Sequence, residues 1–421
     1  MVYNIFRMLD IQFIRDNPEL VEARSKKKGY NVDISQLLGF DDERRQLIKQ
    51  VEEMRRERNE SASKAKNQPP TEQQINAGRE LKEKIGDLEH KLSSIEQELN
   101  LLMYKVPNVY SDDVPEGGEG DGIEVGNYGE KTTGAEDHLD YMVKRDWVDF
   151  ERGAKVAGAK FYFLKSDGAL LEEAIKQYAL NFVIQKGFTY MTVPHMVNNK
   201  TALGAGFAPK SSDESNEYFI EGEDLALIGT AEAPLTGYHA DEIIEEDKLP
   251  LLYVGYSPCY RKEAGTYGKH TRGLFRVHQF NKLEMYAFTI PEHSIEMHER
   301  IRSIEEELWQ SMGIPYRVIN IAAGDLGAPP TKKYDIEYWS KVDGEYRELT
   351  SCSNCTDFQA RNLNIRVRRA DGKVEILHTL NGTATALSRS LVAIVEHYQI
   401  EGGALKVPEV LRQYMGNRAE I

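Results

Sequence analysis

The hydrophobic pattern changes character along the chain. From Asp10 to Lys28, the apolar positions Ile11, Ile14, Leu20 and Val21 predict a short helix, with Asn17-Pro18-Glu19 putting proline where a first helical turn tolerates it. It ends in Lys26, Lys27 and Lys28, a triplet best explained as a solvated helix end. Between Asp33 and Tyr104, Leu81, Ile85, Leu88, Leu92, Ile95, Leu99 and Leu102 alternate spacings of four and three, the seam of a coiled coil. Leu47, Val51 and Met54 carry a weaker seam in the first half. Asn67-Gln68-Pro69-Pro70 breaks the helix between them, and Thr71 with Gln74 resembles a capping box. The pattern predicts two helices folded back as an antiparallel arm, about 45 Å long for roughly 30 residues each. A dimerising coiled coil fits the same seam. Arg44, Arg45, Arg55, Arg56, Arg58, Lys64 and Lys66 could serve phosphates there or simply pair with neighbouring acids.

Val106–Gly134, rich in Gly, Asp, Glu and Pro, has the composition of a linker. After it, helices are expected at Leu171–Lys186, Pro291–Met312 and Ala384–His397. Strands are expected at Phe188–Val193, Tyr218–Ile220, Leu225–Ile228, Tyr316–Ile319, Tyr334–Tyr338 and Val374–Leu380. The most informative stretch is a pair of strands, Leu251–Lys262 and Gly273–Phe288, joined by the loop Glu263–Arg272. Period-two alternation puts Arg276, His278, Phe280, Lys282 and Glu284 on one face, and Val277, Leu283 and Met285 on the other. Arg276 to Phe280 and Phe280 to Glu284 each span roughly 13 Å. That face suits a ligand with phosphates, a flat base and an ammonium group; an exposed hairpin with incidental charges fits equally well. Strands adjoin strands more often than they alternate with helices, so an α+β fold is expected, a mainly antiparallel sheet flanked by helices.

With 421 residues and 40% hydrophobic positions, the chain can form two or three domains with a sizeable core. A net charge of −15 leaves nucleic-acid binding to local basic patches. Three cysteines cannot build a disulfide framework and suit a reducing cytoplasm, and no signal peptide or membrane span is apparent. Cys352 and Cys355 have the spacing of half a zinc site without a second pair, so no structural zinc is expected. No nucleophile elbow, P-loop or dinucleotide fingerprint occurs. Three further segments carry chemistry: Gly229-Thr230-Ala231-Glu232 after a strand, Glu348-Leu349-Thr350-Ser351 ending one with hard oxygen donors suited to Mg²⁺, and Asn381-Gly382-Thr383-Ala384 leading into a helix with Arg389.

Taken together, Thr230-Ala231-Glu232, Arg261-Lys262-Glu263, Thr271–Phe280, Ser351–Arg361 and Leu380–Thr383 with Arg389 resemble the class II aminoacyl-tRNA synthetases, and more narrowly the seryl-tRNA synthetase family, over nearly the whole length. The resemblance implies a tRNA-binding domain with a long helical hairpin over residues 1–110 and a catalytic domain over 111–421. It implies that L-serine is activated with ATP and moved to the 3′ end of serine tRNA; the family commonly also charges selenocysteine tRNA. Arg261 would hold the α-phosphate and Arg276 the γ-phosphate. Phe280 and Arg389 would sandwich adenine, with Glu263 and the Val277 backbone reading its edge. Glu348 and Ser351 would hold Mg²⁺, and Lys262, Leu349 and Thr350 would complete the ATP site. Thr230, Ala231, Glu232, Glu284 and Thr383, with Arg261, would surround serine. Arg261, Glu348 and Arg389 are the implied catalytic set. The family is homodimeric and cytoplasmic, and Leu171–Val197 resembles its dimer motif. The sequence departs from the family pattern at Lys262, where a small residue is common, at Ser388, often glycine, and in the extra Met1–Arg7. Two other functions are weighed: an adenylate-forming paralogue that charges a carrier protein, whose known forms lack the arm, and a non-catalytic coiled-coil scaffold, which should have lost Arg261, Glu348 or Arg389.

Overall fold

Proline chemistry and strand alternation decide where this chain departs from its simplest pattern. The computed structural model describes residues 9–64, 71–207, 216–263 and 272–421. The chain divides into two compact units, Met1–Pro107 and Asn108–Ile421. In the first, α1 (Ile11–Asp16) and α2 (Pro18–Lys27) replace the single helix expected over Asp10–Lys28. Pro18 lacks an N–H and disfavours helical backbone at Asn17, so the helix breaks and restarts with proline in its first turn. Asn17 Nδ2 donates to the Phe13 carbonyl at 3.1 Å rather than capping α2. Lys28 is buried, not solvated.

The long helices α3 (Ile34–Lys64) and α4 (Glu72–Met103) have 31 and 32 residues. Their seam is real: Leu47, Val51, Ile85 and Leu99 are buried. Thr71 and Gln74 exchange both bonds of a capping box. Arg44 and Arg45 pair with Asp41, Arg55 with Glu89 and Arg56 with Glu60, so these cations are shared with acids of the same unit. The break Asn67–Pro70, the side chains of Lys64 and Lys66, the N-terminal Met1–Arg7 and residues 264–271 of the expected loop lie outside the described residues.

Eight strands form the main sheet of the second unit: β1 (Ile123–Tyr128), β2 (Thr189–Thr192), β3 (Leu251–Tyr260), β4 (Gln279–Thr289), β5 (Tyr316–Asn320), β6 (Lys332–Trp339), β7 (Tyr346–Thr356) and β8 (His378–Ala386). Their spatial order is β1-β5-β6-β7-β8-β4-β3-β2. Every neighbouring pair is antiparallel except β2 with β3. The helices that matter for the site are α5 (His138–Lys144), α6 (Ser166–Gln185), α7 (Ser294–Ser311) and α8 (Leu387–Tyr398). Leu283, Met285 and Ala287 of β4 enter one core with Ile301 and Leu308 of α7 and Leu391 of α8. Tyr286 and Phe288, on the other face, join a second cluster with Leu235, Leu363 and Leu377. Phe280, Lys282 and Glu284 share that second face and line up ahead of its apolar end. No helix among the described residues is long and apolar enough to cross a membrane.

Several expected boundaries move. The second central strand starts at Gln279, because Gly273 (φ +64°) turns the chain through a 3₁₀ segment, Gly273–Phe275. The first ends at Tyr260. Val106–Gly134 is not a plain linker, since it contributes edge strand β1, whose register slips between Glu124 and Gly126. Tyr218–Ile220 makes only an isolated bridge, Phe219 with Ala226. Val374–Leu380 divides at Leu377, which turns into the second core. Glu348–Ser351 lies early in β7 rather than at a strand end. Asn381–Ala384 is strand β8, and the helix starts only at Leu387. The expected fold class stands.

Gly382 shows how closely sheet and α7 approach. A Cβ there would collide with Ile301 Cγ2 and come within 2.7 Å of Glu305 Oε1. Gly382→Ala should therefore destabilise the second unit by about 1–3 kcal/mol through overpacking. Urea unfolding checks this, and an unchanged midpoint would contradict it.

Candidate active site

Side chains from five sequence segments converge on one open cleft of about 550 Å³. Glu263, Arg276, Val277 and Phe280 come from either side of the turn into β4, Glu348, Thr350 and Ser351 from β7, Thr383 from β8 and Arg389 from α8. Arg261 and Leu349 line it too.

The cations meet paired acids. Arg276 donates to Glu263 at 2.9 Å, Arg389 pairs with Glu348 at 3.1 Å, and Lys282 pairs with Glu284 at 2.6 Å. Arg261 Nε donates to the Gly229 carbonyl at 3.2 Å, and its guanidinium lies 5.3 Å from the Phe280 ring centre. The Arg389 guanidinium lies 4.9 Å from the Phe275 ring centre. Burial alone would raise the Glu348 pKa, but Arg389, Lys333 and Arg261 outweigh it and hold the carboxylate well below its ordinary value. Glu348 therefore stays ionised.

Glu348 and Ser351 are three residues apart, so a regular strand would point them to opposite faces. Between β6 and β7 the register slips, Ile336 facing Thr350 while Glu337 faces Glu348, and Leu349 is the extra residue. The bulge brings both oxygen donors to the cleft.

Deeper along the same face is a smaller polar group. Thr383 Oγ1 donates to Glu284 at 3.2 Å. Gln359 Nε2 and Asn381 Nδ2 both donate to Glu232 Oε1, at 2.6 and 2.9 Å. Thr230 Oγ1 accepts from the Glu232 amide at 3.2 Å, and Ala231 is buried. Burial, then the charge of Glu284, pushes Glu232 up to about 7. Most of the expected site residues gather in one region, with three departures of placement. Lys262 Nζ lies over the rings of Tyr218 and Phe219, 5.9 and 5.7 Å from their centres. Thr350 Oγ1 donates to Glu305 of α7 at 2.8 Å on the helix side, and the Leu349 side chain packs in the helix-side core. Phe275, Lys282, Gln359 and Asn381 were given no role from sequence. Lys282 is visible in the strand alternation, and Phe275, Gln359 and Asn381 lie within the segments that resemble the family. Cys352 lies in the helix-covered core, whereas Cys355 Sγ accepts from Asn381 on the cleft side at 3.9 Å. The two thiols have different surroundings.

Comparison with known proteins agrees with this geometry. The model of the seryl-tRNA synthetase N-terminal domain matches residues 8–110, and that of the tRNA synthetase class II core domain (G, H, P, S and T) matches residues 217–398. The serine–tRNA ligase of Dictyoglomus turgidum is 43% identical over 418 residues, covering 97% of this chain and 98% of that protein. The chain belongs to the seryl-tRNA synthetase family. The serine–tRNA ligase of Treponema denticola is 42% identical over 418 residues, with 97% and 99% covered. Among solved structures, the Pyrococcus horikoshii seryl-tRNA synthetase complexed with ATP superposes with a TM-score of 0.90 at 40% identity, covering 98% of this chain and 99% of that one. This family member keeps the class II core and the N-terminal helical domain together.

The raised Glu232 makes stability depend on pH in a definite direction. From about pH 4.5 to 7 the folded state keeps a proton that the unfolded chain has already lost. This contribution is complete below the unfolded value and disappears as pH rises through the folded one. Glu232→Gln should flatten the fall of Tm between about pH 5 and 7.5, Glu172 (also up to about 7) retaining part of the slope. Superimposable Tm–pH curves would contradict the assignment.

Proposed function

We propose that the protein activates L-serine with ATP to seryl-adenylate and transfers the seryl group to the 3′ end of serine tRNA. One observation carries the reading: a cleft lined by Arg261, Arg276 and Arg389 reaches Lys282 and Thr383, which bond to Glu284 in a buried polar cluster beside Glu232. The arginines suit a polyphosphate, the two acids suit an ammonium, and the Thr383 hydroxyl suits a short polar side chain.

In this reading Arg261 holds the α-phosphate, and Arg276 leaves Glu263 for the γ-phosphate. Adenine takes the face of Phe280 now covered by Arg261, with Arg389 on its other side, while Glu263 and the Val277 backbone read its edge. Leu349 and Thr350 complete that wall. Serine lies among Thr230, Ala231, Glu232, Glu284 and Thr383, its ammonium drawing Glu232 into the ionised form. Lys282, 2.6 Å away, holds Glu284 in orientation. The serine carboxylate then attacks the α-phosphate as pyrophosphate leaves, and Arg261 stabilises the charge that builds there. No protein nucleophile is required; the rate comes from positioning and charge stabilisation.

Mg²⁺ fits the wall formed by Glu348 and Ser351, because one is held ionised and the bulge presents the other's hydroxyl beside it. When bound, the ion would neutralise phosphate charge. The arm formed by α3 and α4 suits the body of a tRNA, and selenocysteine tRNA is a second substrate of the same chemistry. Leu170, Ile184, Tyr190 and Met196 are exposed apolar side chains in or beside the Leu171–Val197 segment, which supports association of two copies there.

Serine-dependent ATP–pyrophosphate exchange together with charging of serine tRNA tests the reading. Exchange without charging would favour the carrier-protein paralogue, and loss of both the scaffold. Arg261→Ala should slow adenylate formation by about two or more powers of ten, measured by exchange; a normal rate would show that the α-phosphate lies elsewhere. Deleting Asp33–Tyr104 should abolish charging and leave exchange largely intact, whereas equal loss of both would remove the arm from tRNA binding.

A further inference from the structure

The turn that carries Phe275, Arg276 and Val277 into the cleft is gripped from behind by α5. Arg272 donates to both carboxylate oxygens of Asp140, at 2.6 and 3.2 Å, and lies 3.2 Å from Asp137, the residue whose side chain caps α5. Next along the helix, His138 is buried and its Nε2 accepts from the Leu274 backbone N–H at 3.4 Å. A backbone amide can only donate, so Nε2 is the unprotonated nitrogen and Nδ1 carries the hydrogen in the neutral ring. That Nδ1 lies 3.7 Å from Glu396 Oε1 and 3.9 Å from Asp137 Oδ2 without a hydrogen bond to either, and Glu396 Oε1 is also 3.9 Å from Arg347. Glu396 belongs to α8, the helix of Arg389, and its other oxygen accepts from Ser340 at 2.8 Å. Gly273 is required by the same contact: its φ is +64°, and a Cβ there would overlap His138 Nε2.

We propose that His138 is a positioning residue for ATP. Its ring lies between the 272–276 turn and α8, the two elements that supply Arg276 and Arg389 to the cleft. Nε2 fixes the height of the turn by accepting from Leu274, and Nδ1–H is aimed at the helix through Glu396. His138 touches no substrate; it acts by keeping Arg276, Val277 and Phe275 where a triphosphate and a base meet them. The Arg272–Asp140 pair is the outer, solvent-facing half of the same grip. The serine pocket, built on Thr230–Glu232, β4 and β8, does not depend on this turn.

The proposal rests on ATP being the ligand of the cleft, so the test starts from the wild-type protein: absence of serine-dependent ATP–pyrophosphate exchange there would defeat the functional reading itself. Given exchange, two variants part the roles of the imidazole. Gln places an amide oxygen near the position of Nε2 and keeps the acceptor, whereas Asn is too short to reach Leu274. His138→Asn should raise KM for ATP about tenfold while KM for serine stays within about twofold, and His138→Gln should restore most of the loss. Asp140→Asn, at an exposed position that should not disturb folding, should raise KM for ATP about two- to threefold by the same route. Equal effects of the Gln and Asn variants, equal changes in KM for both substrates, or an Asp140→Asn enzyme with unaltered KM for ATP would overturn it.

Discussion

The cleft depends on charges that neutralise one another in pairs. Arg276 with Glu263, Lys282 with Glu284 and Arg389 with Glu348 each join a cation and an acid that line one sheet face or its rim. Lys282 and Glu284 are both almost fully covered, and breaking such a pair by removing one partner typically costs about 3–5 kcal/mol because the other is left buried and uncompensated. The protein therefore holds these charges in place before a ligand arrives, and in the proposed function a triphosphate and an ammonium need only exchange partners within this set. Glu232 is the exception, kept near neutrality by burial and by Glu284, and so able to ionise when a cation comes beside it.

That arrangement follows from strand order. β4 lies between β8 and β3, and β7 flanks β8, so Phe280, Lys282 and Glu284 stand beside Thr383 and, one strand further, Glu348. On the opposite face Leu283, Met285 and Ala287 anchor the same strand against α7. Burial on the helix side makes the register hard to slip, since a shift of one residue would exchange core and cleft faces. The apolar core thus fixes the chemistry. Catalysis of the proposed kind needs little more, because positioned charge does the work of a nucleophile.

Much of this was legible in residue patterns. The alternation from Phe280 to Met285 sorted the two faces correctly, whereas Arg276 and Val277, expected on opposite faces, both line the cleft because the strand starts only at Gln279. The leucine seam marked the long helices, and Thr71 with Gln74 marked the start of α4. What escaped were features set by register and by backbone special cases. The bulge at Leu349 has no composition signal, yet it alone lets Glu348 and Ser351 share a face. Pro18 was placed in a first helical turn, but that turn opens a second helix, because proline and the residue before it interrupt the run that starts at Asp10. β1 hid in a glycine-rich segment because an edge strand with one covered residue lacks an apolar run. His138 could not have been singled out, since its partners Leu274 and Glu396 are 136 and 258 positions away.

The most direct measurement is calorimetric titration with a non-hydrolysable seryl-adenylate analogue, seryl-sulfamoyl-adenosine. If one continuous cleft joins the arginine-lined wall to the Glu232–Glu284–Thr383 pocket, the analogue should bind at least about a hundredfold more tightly than ATP. It should also release protons near pH 7 as Glu232 ionises. Affinity no better than that of ATP, or the same affinity without the seryl group, would contradict the account.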